Sequence, residues 1–121
     1  MAGRERVVIC TSNALVDGGD GVRFELRQNG ESRSAFAIRF AGRVHAYLNR
    51  CAHIGVELDW QPGRFFDVEG MVLLCSTHGA LYDPETGSCL GGPCQGGRLI
   101  PVAVEEIGGA VVLKDEDEYH G

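Results

Sequence analysis

The chain has no long apolar run: the longest, Met71 to Cys75, is five residues. A helix that crosses a bilayer needs about 20, so no such span is expected. The first ten residues hold Arg4-Glu5-Arg6 and then only four apolar residues, with no small-residue cleavage site after them. That is too little for a secretory leader, and the reading is a cytoplasmic protein. Basic clusters are missing as well. Residues 1–60 carry eight arginines against seven acids, whereas residues 61–121 carry three basic residues against ten acids. A second half at net −7 is a poor nucleic-acid ligand and a good match for a basic docking face on another protein. Asp115-Glu116-Asp117-Glu118 is read as a solvated acidic tail within 115–121. Nucleotide signatures are absent too. Gly91-Gly92 and Gly96-Gly97 have neither dinucleotide-fold nor P-loop spacing, so neither a flavin nor a nicotinamide site is expected. No substrate pocket or catalytic residue is legible, and the protein is not read as an enzyme in its own right.

Helical periodicity is also missing, since no stretch of ten or more residues holds an apolar stripe at helical spacing. What is abundant is glycine, with 18 residues breaking the chain into short apolar runs. Val22 to Arg27 alternates strictly, as a half-buried strand does, and Asn29-Gly30 follows as a turn. Ala35 to Phe40 and Val44 to Asn49 are two further strands around Gly42, which makes an antiparallel meander. Met71 to Leu74 is a strand delivering Cys75, Ala80 to Tyr82 a short one, and Asp83 to Gly87 a turn. Ile100 to Ile107 and Ala110 to Leu113 form a hairpin about Gly108-Gly109. The expected architecture is all-β, sandwich-like or a small barrel, in one domain spanning 1–121.

Five cysteines are an odd count. Cys10 closes the run Val7-Val8-Ile9 and is read as a buried small hydrophobe. Cys89 and Cys94 are close enough in sequence to bridge, but the cytoplasmic reading argues against a disulfide. The other two sit in Cys51-Ala52-His53 and Cys75-Ser76-Thr77-His78, each followed by a glycine within two residues. Two thiolates and two imidazoles suffice to hold a metal centre. His45 in an alternating strand and His120 near the end lack such neighbours and are not read as ligands. A structural zinc site is the chemical alternative, because two Cys and two His form a common zinc set. Zinc sites usually pair like ligands, however, and here each loop carries one of each kind.

The mixed loops, with Ile54-Gly55 after the first and Gly79-Ala80-Leu81-Tyr82-Asp83 after the second, resemble the ligand loops of the Rieske [2Fe–2S] family. The resemblance spans about residues 45–113. It implies three antiparallel sheets with the cluster at one tip, ligand loops at about 51–58 and 75–82, and a covering loop at about 91–95 that contains Pro93. It implies that Cys51 and Cys75 hold one iron of a single [2Fe–2S] cluster and His53 and His78 the other. Gly79, Ala80, Tyr82 and Pro93 then surround and tune the cluster. Respiratory members of the family carry a disulfide between the loops, at positions filled here by Val56 and Thr77. They also carry a hydrogen-bonding serine where Ala80 stands, and they share the tyrosine at Tyr82. The likeness is therefore closest to soluble Rieske-type ferredoxins and to the small subunit of nitrite reductase. A potential in the lower part of the family's range of roughly −150 to +300 mV is expected.

An oxidised cluster with two thiolates and two neutral imidazoles is uncharged, while an all-thiolate cluster starts at minus two, so the mixed set takes up an electron more easily. The resemblance implies a one-electron carrier between a reductase and a terminal oxygenase. The alternative is a non-catalytic subunit beside the large subunit of a nitrite reductase. Rieske oxygenases add a mononuclear-iron domain after such a module, and none is expected here.

Overall fold

The computed structural model describes residues 7–28, 30–52, 56–59, 61–77, 79–94 and 96–114. Nine strands are present among them: β1 (Val8–Thr11), β2 (Val22–Gln28), β3 (Glu31–Phe40), β4 (Arg43–Leu48), β5 (Leu73–Leu74), β6 (Leu81–Tyr82), β7 (Cys89–Gly91), β8 (Val104–Ile107) and β9 (Ala110–Leu113). They form three antiparallel sheets of three strands, ordered β1-β9-β8, β2-β3-β4 and β5-β6-β7. The all-β expectation holds, and the architecture is three sheets as the resemblance implied.

The β2-β3-β4 meander is the central layer. Ala35, Phe36, Ala37 and Ile38 are all fully buried, a run that a half-buried strand would not show. Successive side chains point to opposite faces of a sheet, so β3 feeds two cores. Phe36 and Ile38, with Tyr47 from β4, join Leu58, Phe65, Leu73, Cys51, Cys75, Ala80, Tyr82, Cys94 and Leu99. Ala35 and Ala37, with Ala46 and Leu48, join Leu15, Leu26, Val102 and Val111 against the β1-β9-β8 sheet. In the first core the rings of Phe36 and Phe65 stack with centroids 4.0 Å apart. Buried on both faces at residues 35–38, β3 gives the β5-β6-β7 sheet a rigid floor.

Three local expectations need correction. Cys10 is half-buried rather than enclosed, because β1 is an edge strand that pairs only with β9. Met71 and Val72 precede the strand instead of forming it. Their amides turn toward the Asp67 carboxylate at 3.0 and 3.4 Å, which leaves β5 only Leu73–Leu74. Residues 100–103 lie outside the hairpin, since Leu48 and Val102 N–H donate to Ile100 and Ala46 carbonyls and tie the segment to β4. Asn29 of the expected turn lies outside the described residues, while its neighbour Gly30 has φ of 82°.

Candidate metal centre

Cys51 ends the stretch that follows β4, and Cys75 directly follows β5. Both side chains are buried, at 1% and 0% exposure, within the same core. The two loops are closed by their own backbones. Cys51 N–H donates to Val56 O at 2.6 Å, Cys75 N–H to Ala80 O at 2.8 Å, and Gly79 N–H to Cys75 O at 2.8 Å. Ser76 N–H donates across to Leu58 O at 3.0 Å, which joins the second loop to the end of the first.

Tyr82, fully buried on β6, places its hydroxyl 3.2 Å from Cys51 Sγ and 2.9 Å from Ala52 N. The Ala52 N–H donates to the phenol oxygen, and toward a Cys51 thiolate the phenol is the only group of the pair that can donate. Burial, and then the contact with Cys51, push the phenol well above its ordinary range, so it stays protonated as a donor. The structure places Tyr82 beside Cys51. Ala80 is fully buried and has no side-chain donor. Gly79 and Pro93 are exposed. His53, His78, Ile54 and the tail 115–121 lie outside the described residues.

Behind the first loop stands a polar brace that the sequence reading missed. Asn49 Nδ2 donates to Asp59 Oδ1 at 2.9 Å, and its Oδ1 accepts from Leu58 N–H at 2.9 Å. Asp59 Oδ2 accepts from Gly63 N–H at 3.0 Å and lies 3.5 Å from Arg23 Nε. The pair clamps the two ends of the 51–58 loop, and both side chains are buried. A polar pair with every group satisfied is a source of rigidity in a core. The one available signal was an Asn directly after the apolar run Ala46-Tyr47-Leu48.

The bond argued against is present: Cys89 and Cys94 form a disulfide with Cα atoms 5.7 Å apart. The compartment argument was outweighed by local geometry, because β7 pairs with β6 and the Gly91-Gly92-Pro93 turn brings the two cysteines together. His45 lies apart from the cysteines. It lines an open cleft of about 410 Å³ with Glu85, Arg98 and Lys114, and burial holds its imidazole below the ordinary histidine range.

Two buried sulfurs in one core, one of them 3.2 Å from a phenol hydroxyl, suit a soft, electron-rich metal centre. Among the described residues no group of three or more His, Cys, Asp or Glu side chains is arranged to hold a metal ion. Nor is any helix among them long and apolar enough to cross a membrane.

A family model described as the Rieske [2Fe–2S] domain matches residues 5–114. No curated protein sequence matches the chain. Several solved structures share its fold. The ferredoxin of carbazole 1,9a-dioxygenase from Nocardioides aromaticivorans IC177 is 22% identical, with 91% of this chain and 97% of that chain covered and a TM-score of 0.67. The Sphingomonas yanoikuyae B1 ferredoxin is 22% identical, with 92% and 99% covered and a TM-score of 0.69. A chain in a complex of reduced oxygenase and oxidized ferredoxin in carbazole 1,9a-dioxygenase is 21% identical, with 89% and 91% covered and a TM-score of 0.68.

Proposed function

Because the chain belongs to the Rieske [2Fe–2S] domain family and so carries one [2Fe–2S] cluster, we propose that it is a one-electron carrier, a ferredoxin that takes electrons from a reductase and hands them to an oxygenase. The observation that carries this reading is the joint burial of Cys51 and Cys75 in one core, at the closures of two glycine-bearing loops. In this proposal Cys51 and Cys75 bind one iron, and His53 and His78 bind the other. A cluster with this ligand set supplies reversible one-electron transfer at higher potential than an all-thiolate one.

The chain's own residues set the conditions for that transfer. The Asn49–Asp59 brace and the Phe36–Phe65 stack keep the first loop from rearranging when charge changes. Tyr82 holds a proton on the Cys51 sulfur, where added negative charge strengthens the bond. Leu90, 55% exposed on β7 beside the covering loop, supplies an apolar contact for a partner. The acidic second half steers a basic partner surface toward this end. Similarity to ferredoxins of carbazole dioxygenase systems supports the oxygenase as the acceptor.

The test is spectroscopic and analytical. Purified protein is expected to contain iron and acid-labile sulfide and to give an EPR signal on one-electron reduction. Ala substitutions at Cys51, His53, Cys75 or His78 should each abolish the native signal, and His45→Ala should keep it. A wild-type cluster in His53→Ala would overturn the ligand assignment, and zinc without sulfide would overturn the cluster. For the role, the protein is co-produced with the products of its neighbouring genes. Reduced protein turning over a ring-hydroxylating oxygenase supports the carrier. Stable incorporation beside a sirohaem-containing subunit reverses it in favour of a nitrite reductase component. The rate of transfer to the oxygenase should fall as salt rises, because steering between exposed charges is screened.

A further inference from the structure

We propose that the Cys89–Cys94 disulfide is a redox-operated staple that braces both ligand loops from outside, and that a dithiol reductant releases it. The bond closes the segment Leu90-Gly91-Gly92-Pro93 into a small ring. One side of that ring presses on the second ligand loop. A Cβ at Gly92, which has φ of 82°, would stand 2.8 Å from Gly79 O and 3.0 Å from Ala80 Cα. The segment leaving the ring presses on the first loop, where a Cβ at Gly97 would stand 2.9 Å from Ala52 Cβ. Gly97 is itself tied to the staple at both ends, since its N–H donates to Cys94 O at 2.7 Å and its carbonyl accepts from Cys89 N–H at 3.2 Å. On the neighbouring strand Cys89 is paired with Tyr82, whose hydroxyl holds Cys51 Sγ. One covalent bond therefore stands behind contacts to Ala52, Gly79, Ala80 and Tyr82.

The positions that would carry a disulfide between the loops are Val56 and Thr77. Bracing between the loops thus falls to weaker contacts, and Cys89–Cys94 supplies the covalent element one layer out. Its two sulfurs differ in access. Cys94 is 3% exposed and belongs to the core that holds Cys51 and Cys75, whereas Cys89 is only half-buried beside exposed Leu90. A dithiol reductant reaches Cys89 first. One of its thiolates attacks Cys89 Sγ, the S–S bond breaks, and Cys94 Sγ leaves with the electron pair and takes a proton. The reductant's second thiolate then displaces Cys89 Sγ, which is protonated in turn. The reductant ends as its own disulfide, two electrons and two protons having passed to the protein. With the staple open, the Gly92 contact loosens and the loops gain freedom.

The inference rests on the proposed ligand loops, so its experiment reads the loops separately from the cluster. Purified holoprotein is incubated with or without dithiothreitol and alkylated under native conditions. It is then studied by peptide mass spectrometry, by hydrogen–deuterium exchange and by voltammetry, beside a Cys89→Ser/Cys94→Ser variant. Without reductant, Cys89 and Cys94 should resist alkylation, and after it both should be labelled. Amide exchange in peptides covering 51–58 and 75–82 should rise several-fold on reduction, while exchange in β3 stays unchanged. The midpoint potential should shift in the same direction in reduced wild type and in the double-Ser variant, with iron and sulfide content retained. If the variant fails to fold, reduced wild type carries the comparison alone. Alkylation without reductant, or unchanged exchange in both loops after reduction, would overturn the staple. Faster loop exchange in protein that holds zinc alone would support it while overturning the cluster.

Discussion

Replacing Tyr82 by Phe removes one oxygen from a fully buried ring and breaks two contacts at once, 3.2 Å to Cys51 Sγ and 2.9 Å to Ala52 N. The two losses are of different kinds. Ala52 is an exposed residue, so its amide can turn to water, and that loss is small, about 0.5–1 kcal/mol. Cys51 is buried, so water does not replace the phenol at its sulfur. A hydrogen bond to a charged partner contributes about 1.5–3 kcal/mol, of which part is recovered as the ring relaxes. The sum is a destabilisation of about 1–3 kcal/mol, or roughly 4–12 °C in Tm for a domain of this size. Phe fills the same core volume, so no large cavity term is added.

The same bond bears on the potential, because a donor to a ligand sulfur favours the state with more negative charge. If the reduced state gains about 1 kcal/mol more from the bond than the oxidised state, the potential of Tyr82→Phe falls by about 40 mV, taking 59 mV per 1.4 kcal/mol for one electron. Ala80→Ser should move it the other way, since it adds a hydroxyl at a fully buried position of the second loop. Voltammetry on both variants, with thermal unfolding followed by circular dichroism, reads the two effects independently. An unchanged or higher potential in a well-folded Tyr82→Phe protein with full iron and sulfide would refute the reasoning. A loss of Tm far beyond the range above would show that the hydroxyl supports the fold through more than these two bonds.

Two further changes test the frame around the centre. Arg39 donates to Leu15 O at 2.9 Å and Ser12 O at 3.0 Å and pairs with Glu106 at 2.6 Å, which links the central sheet to the outer one. Arg39→Met should cost about 2–3 kcal/mol at neutral pH, read by urea unfolding. The Arg39 hydrogen bond holds the Glu106 carboxyl below its ordinary range, so this part of the stability is present above the unfolded Glu pKa of about 4.3 and is lost as pH falls through the lower folded value. The gap between wild type and variant should therefore narrow on the acid side, and a gap that widened there would count against the ion pair. Gly87→Ala puts a Cβ 2.9 Å from Tyr47 Cε1 at a φ of 80°, and a loss of about 2–4 kcal/mol is expected. Gly108→Ala has a positive φ with nothing within 4 Å and should lose only about 1 kcal/mol in the same assay.

The meander and the last hairpin were legible because each strand's partner is its neighbour in sequence and the turns carry glycine. β1 and β7 were not. β1 is a strand only because β9, about a hundred residues later, pairs with it, and Val7-Val8-Ile9-Cys10 has no alternation to announce an edge. β7 is three residues ending in Gly91, and its pairing with β6 rather than its own sequence makes it extended. The central position of β3 was legible only in part. Ala35-Phe36-Ala37-Ile38 reads as a strand, but small residues alternating with large ones show that one face takes a close-packed sheet and the other a thicker core. That inference needs both cores in view.

The candidate centre divides along the same line. Cys51 with His53, and Cys75 with His78, are short-range patterns and survive in any list of residues. What supports them is long-range. Tyr82 reaches Cys51 across 31 positions, Asn49 meets Asp59 across the loop, and Gly92 approaches Gly79 from a different loop. Spacing within a loop constrains which atoms a metal can be offered. It does not constrain how stiffly those atoms are held, and stiffness decides whether a centre changes charge without moving its ligands. The disulfide marks the same boundary. A rule about compartments, true on average, predicted two thiols, while a five-residue separation and a paired strand brought the sulfurs into bonding contact. Where a local geometric constraint and a population tendency disagree, the geometry acts on this molecule and the tendency only on the collection it came from.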